Sequence, residues 1–190
     1  MAQKYRALLV ATVAAASCLT GCQSSVTTQT TFARPYETTS LTKIFVIESL
    51  FGALQNHMDH GYEEFQANLT KGLQECGVSS EFYRIDNTPL ALDTETKRQA
   101  ALAAANKFGS DAILVVNETS MTTTSNGHVS DESVSYSFDL TDAKTRQGIW
   151  SARSTLYVHW NAGPKLAESA LANMKEAAVL RDCAPSKGPS

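Results

Sequence analysis

Apolar residues fall along this chain in three rhythms, and each predicts a different element. Ile44-Phe45-Val46-Ile47 is an unbroken run between Lys43 and Glu48. A run of β-branched and aromatic residues like this predicts a strand covered on both faces. Met58, Tyr62, Phe65, Leu69, Leu73 and Cys76 then recur at steps of three or four. That spacing predicts an amphipathic helix, with Glu63, Glu64, Lys71 and Glu75 off the stripe and Gly77 as its C-cap. From Glu81 to Ile85, Phe82 and Arg84 alternate with Tyr83 and Ile85, the period of a strand, and Pro89 closes the segment. Thr94 or Thr96 caps a helix from about Lys97 to Phe108, with Ala100, Ala101, Ala104 and Phe108 inward. Gly109 ends that helix, and Asp111 to Val116 reads as a central strand.

The second half of the chain alternates instead. Thr119 to Thr124 continues as an exposed, threonine-rich strand able to serve as an edge, and Ser125-Asn126-Gly127-His128 is a turn signal. Val134, Tyr136, Phe138 and Leu140 alternate with Ser135, Ser137 and Asp139. After the polar turn of residues 141–148, Trp150, Ala152, Leu156, Val158 and Trp160 form a second such strand. Gly163-Pro164 opens a final helix over residues 165–180, with Leu166, Ala170, Met174 and Ala177 inward. The order is βαβαβββα, an α/β (α+β) fold in which helices pack on a mixed sheet. It occupies residues 41–182 as one domain, followed by a polar tail, 183–190.

What precedes the domain sets its address. Lys4 and Arg6 lead a short apolar run, Ala7 to Ala16, too short to cross a bilayer as a helix, and Leu19-Thr20-Gly21-Cys22 follows. These residues resemble the lipobox of bacterial lipoproteins. The resemblance implies a signal peptide over residues 1–21 and a lipidated (palmitate-bearing) Cys22 as the first mature residue. Gln23, where an Asp would imply inner-membrane retention, implies the outer membrane of a Gram-negative envelope, with the domain facing the periplasm. Residues 22–40 are rich in Ser and Thr without apolar periodicity, and read as a flexible tether.

Charge and cysteines narrow the partners. The formal charge of −3 becomes −5 when the leader takes Lys4 and Arg6 with it. An acidic chain without a basic cluster excludes nucleic acid as a partner. Of the four cysteines, Cys18 leaves with the leader and Cys22 takes lipid. Cys76 and Cys183 remain, either as one long-range bridge in an oxidising periplasm or as two separate thiols.

The element order, with Lys107-Phe108-Gly109-Ser110-Asp111-Ala112-Ile113-Leu114 and Phe138-Asp139-Leu140-Thr141-Asp142-Ala143 followed by Gly148-Ile149-Trp150, resembles a group of envelope lipoproteins. That group comprises the lipoprotein activators of penicillin-binding proteins, the curli secretion lipoprotein and the amino-terminal domain of TolB. Arg146-Gln147-Gly148 departs from the group's more usual Thr-Gly turn. The resemblance implies a module that contacts other envelope proteins.

Candidate chemistry is sparse. His57 and His60 flank Met58-Asp59 at helical spacing, but a zinc site needs about four defined ligands, or three and a water, and no third ligand is placed by the sequence. His128 and His159 have no carboxylate partner in sequence. There is no Gly-x-Ser-x-Gly elbow and no phosphate-binding glycine loop. Asp139 and Asp142 flank a turn, where Asp serves the backbone. The expectation is therefore no enzyme, no metal and no cofactor. Partners are the membrane through the anchor and an envelope protein or a second copy, with Trp160 and His159 as a candidate partner surface. Alternatives are a carrier or sensor of a small hydrophobic ligand, held between sheet and helices, or an envelope hydrolase.

Overall fold

A computed structural model describes residues 25–34, 41–50, 61–86, 94–125, 130–157, 161–180 and Cys183. In chain order these form β1 (Val26–Ala33), β2 (Lys43–Leu50), α1 (Gly61–Gln74), β3 (Ser79–Asp86), α2 (Thr94–Phe108), β4 (Ala112–Ser125), β5 (Ser130–Asp142), β6 (Gly148–Tyr157) and α3 (Ala162–Glu176). One mixed sheet runs β1-β6-β5-β4-β2-β3. β2 pairs parallel with both β3 and β4, and the β4, β5, β6 and β1 pairings are antiparallel. From β2 onward this is the order the periodicity predicts.

Alternation along each strand divides two cores. On one face, Ile44, Val46, Leu114, Val116, Val134, Tyr136, Phe138, Leu140 and Trp150 meet Phe65, Leu69 and Leu73 of α1 and Leu166, Ala170 and Met174 of α3. On the other, Phe45, Ile47, Ile85 and Ile113 meet Ala101 and Ala105 of α2. The strand from Ile44 to Ile47 is thus covered on both sides, as its continuous apolar run requires. α2 turns nearly the expected face inward: Ala101, Ala104 and Phe108 pack on this core, with Ala105 buried in place of the exposed Ala100.

α1 and α3 lie side by side and run in the same direction: Gly61 faces Gly163, Leu171 lies against Gly72, and Cys76 is bonded to Cys183. At Gly163 the approach is so close that a Cβ would collide with the Gly61 carbonyl and stand 3.1 Å from the Phe65 nitrogen. Gly77, with φ of 73°, turns the chain out of α1 as a C-cap glycine should.

Two expectations are corrected. Residues 26–33 are not tether but the edge strand β1, hydrogen-bonded along β6 from Val26↔Leu156 to Ala33↔Trp150. Hydroxyl pairing takes the place of apolar burial. Thr28 Oγ1 lies 2.6 Å from both Ser154 Oγ and Ser169 Oγ, and Thr30 Oγ1 donates to Asn173 Oδ1 at 2.7 Å. The fold also extends past residue 182, since Cys183 is cross-linked to Cys76. The stretch Thr119 to Thr124 pairs with β5 out to Ser125↔Ser130, while the pairing of β4 with β2 ends at Asn117, so among the described residues it is paired on one side only, as an edge is.

Candidate functional site

Three inward positions break the apolar layer near the carboxyl end of β2. Glu48 follows Ile44 and Val46 in parity and is fully buried. Its Oε2 accepts from Gln66 Nε2 at 2.8 Å, and Arg84 Nε lies 3.8 Å away. The Arg84 guanidinium stacks over Tyr62 of α1, 4.1 Å from the ring centroid. Glu118 is buried beside Val116 in β4 and faces Tyr136 directly across β5. Among the described residues, Glu48 Oε1 and the Tyr136 hydroxyl make no hydrogen bond. Burial, then the Glu118 carboxylate and Tyr62, push the Tyr136 phenol upward, so it stays protonated.

Burial also raises the Glu48 carboxyl above its ordinary 4.5, against the opposing pull of Gln66 and Arg84. A carboxyl whose folded pKa is raised binds its proton more readily in the folded state, so it favours folding at low pH. That contribution is lost as pH rises from the ordinary value through the raised one. Glu48→Gln is therefore expected to be neutral near pH 4 and stabilising above neutrality. The gain should be about 1–3 kcal/mol, the scale of relieving an uncompensated buried polar group. Thermal melts of both chains from acid to alkaline pH check this. A difference in midpoint that does not grow with pH would contradict it.

Among the described residues, the opposite face is open. α2 covers only the β3, β2 and β4 side, and beyond it β4, β5, β6 and β1 floor a recess of about 880 Å3. Its residues stand in register: Thr27, Thr155, Ser135 and Ser120 make one row across four strands. Gln29, Arg153, Ser137 and Asn117 make the next. The surface is hydroxyl and amide, with Arg153 and Asp139 as its charged members.

Sequence motifs resolve unevenly. The Gly-Ser-Asp entry is structural: Asp111 accepts from Thr42 N, Thr42 Oγ1 and Lys43 N at 2.7 to 3.0 Å, fastening β4 to the start of β2. Asp142 likewise serves the hairpin, accepting from the Lys144 and Thr145 nitrogens, and Arg146 holds φ of 60° there. Cys76 and Cys183 meet as a disulfide. Trp150 lies in the core, its Nε1 donating to Asn173 Oδ1 at 3.2 Å. Cys22, His57, His60, His128, His159 and Trp160 lie outside the described residues. Among those described, no group of three His, Cys, Asp or Glu is placed to hold a metal, and no helix is long and apolar enough to cross a membrane. Glu48 and Glu118 went unmarked in the sequence, although both continue the inward parity of their strands.

No protein-family model and no curated protein matches the chain. Solved structures do. A PelC dodecamer from Paraburkholderia phytofirmans is 15% identical over 84% of this chain and 100% of that one, with a TM-score of 0.49. Lipoprotein GNA1162 from Neisseria meningitidis is 19% identical over 73% of this chain and 98% of that one, at 0.41. The protein CT253 from Chlamydia trachomatis is 12% identical over 73% and 95%, at 0.35. Similarity at this level says nothing about what this chain binds.

Proposed function

We propose that the chain is a lipoprotein held in the outer membrane through Cys22 and facing the periplasm, whose domain is a non-enzymatic module that binds an envelope protein or a second copy of itself. The observation that carries this reading is the free edge of β1. It ends the sheet, its inner side is spent on β6, and no strand among the described residues pairs with its outer side. An unpaired strand edge is a ready template for a partner's strand, in which backbone hydrogen bonds supply affinity. The space where a hydrophobic ligand would lie is filled by Phe65, Tyr136, Phe138 and Trp150, each under 2% exposed, so nothing favours the carrier alternative.

The anchor and the edge are close in sequence. With lipid on Cys22, only Gln23, Ser24 and Ser25 precede β1. The domain then hangs from the membrane by a stalk of three residues.

The test is association by the domain itself. Purified residues 23–190 are expected to self-associate in sedimentation or to retain a defined envelope protein after reversible cross-linking. A strict monomer that retains nothing refutes the module.

A further inference from the structure

We infer that the end of the sheet holding Ser25, Met121 and Tyr157 is a second membrane contact, seated on zwitterionic phospholipid headgroups. This rests on acylation at Cys22 and asks what that anchor does to a domain tied so closely to it. Tyr157 donates its N–H to the Ser25 carbonyl at 3.1 Å, so Ser25 is fixed at the Tyr157 end of β6. From Cys22 to Ser25 is three residues, a reach of at most about 11 Å. That end of the sheet cannot stand clear of the surface to which Cys22 is bound.

The strands place further groups at the same end. β5 pairs Ser133 with Tyr157 and continues to Ser130, which faces Ser125 of β4. The β4–β5 pairing therefore runs three residues past the level of Tyr157, the last described residue of β6, about 10 Å at roughly 3.4 Å per residue. Among the described residues, three large hydrophobic side chains are markedly exposed: Tyr157 at 51%, Phe32 at 48% and Met121 at 44%. Met121 and Tyr157 belong to this end, whereas Phe32 lies at the far end of β1. A tyrosine suits a headgroup layer, offering a ring to the apolar side and a hydroxyl to water.

Charge selects the lipid. Residues 121–125 carry none, while Asp131 and Glu132 stand on the returning arm of the hairpin. With the acidic balance of the whole chain, they disfavour anionic headgroups and leave zwitterionic ones as the match. Two partly exposed side chains cannot hold an untethered domain, but a tethered one has only to be oriented.

The experiment uses the full acylated chain in vesicles of phosphatidylethanolamine and phosphatidylcholine. Spin labels are placed through Met121→Cys, Tyr157→Cys and, as the far-end reference, Phe32→Cys, each keeping the native bridge. With a relaxation agent carried on lipid headgroups, labels at 121 and 157 are expected to relax several-fold faster than the label at 32, at low and at high salt. Vesicle-bound protein with equal relaxation at all three sites overturns the contact while leaving the anchor intact. Relaxation that differs only after phosphatidylglycerol is added overturns the choice of lipid. A chain that fails to sediment with vesicles overturns the acylation reading, and this inference with it.

Discussion

Cys22→Ser, placed behind a cleavable secretory leader, is expected to move the protein wholly from the membrane pellet to the soluble periplasmic fraction. Its melting temperature should be unchanged. On the proposed reading retention would come from acyl chains: each buried CH2 contributes roughly 0.8 kcal/mol, so one chain binds reversibly and two or more bind durably. Little in the domain replaces them. No described helix can span a bilayer, and Met121 and Tyr157 together offer only a small, half-exposed apolar surface. The substitution lies before β1 and changes no residue of the two described cores. Membrane fractionation with a melt of the released chain checks both halves. A Cys22→Ser chain that stays in the pellet would mean that the anchor reading is wrong; released but unfolded protein would mean that β1 needs the lipid to dock.

The short stalk also changes what the anchor does. An eighteen-residue coil would let the domain sample a wide volume with no preferred face toward the membrane. With β1 starting at Val26, a lipid on Cys22 would sit at one end of the sheet, and the hydroxyl-lined face would stand across that direction.

The sequence exposed those features that rest on apolar periodicity. Val134, Tyr136, Phe138 and Leu140 are fully buried, as their alternation with polar residues requires. The double coverage of β2 was equally readable from Ile44 to Ile47. β1 was not, because its inward positions after Val26 are Thr28 and Thr30. Their hydroxyls are satisfied by Ser154, Ser169 and Asn173, partners more than 120 residues away. A polar strand stabilised by distant polar partners looks like a linker when read locally. Glu48 and Glu118 were hidden for the opposite reason: a charged residue after an apolar run normally marks the point where a strand meets water. Here the N-terminal turn of α1, with Tyr62 and Gln66, closes over that point. The open recess depends on strand order and on which helix covers which face, and neither is fixed by local pattern.

Removing the Cys76–Cys183 bridge is expected to lower stability by about 2–4 kcal/mol. The chain-entropy limit for a loop of about a hundred residues is near 5 kcal/mol, and the two cysteines stand 107 apart. For a chain of this size each kcal/mol moves the melting temperature by about 2–4 °C. The Cys76→Ala/Cys183→Ala pair should therefore melt on the order of 5–15 °C lower. The cost falls in a particular place. Cys76 lies at the end of α1, three residues before β3 begins beside Lys43, and Cys183 follows the buried Val179 and Leu180 beyond α3. The bridge thus ties together the far ends of the two parallel helices, opposite the Ser25 end of the sheet. At the near end, the close contact at Gly61 and Gly163 holds them. Without the bridge, α3 keeps its packing through Leu166, Ala170 and Met174, so the double variant should still fold at low temperature. Melts with and without reductant decide the matter. The native chain should lose stability on reduction, and the alanine pair should melt at the reduced value and ignore reductant. A native chain indifferent to reductant would show that the bridge does not form, and that α3 is held by side-chain packing alone.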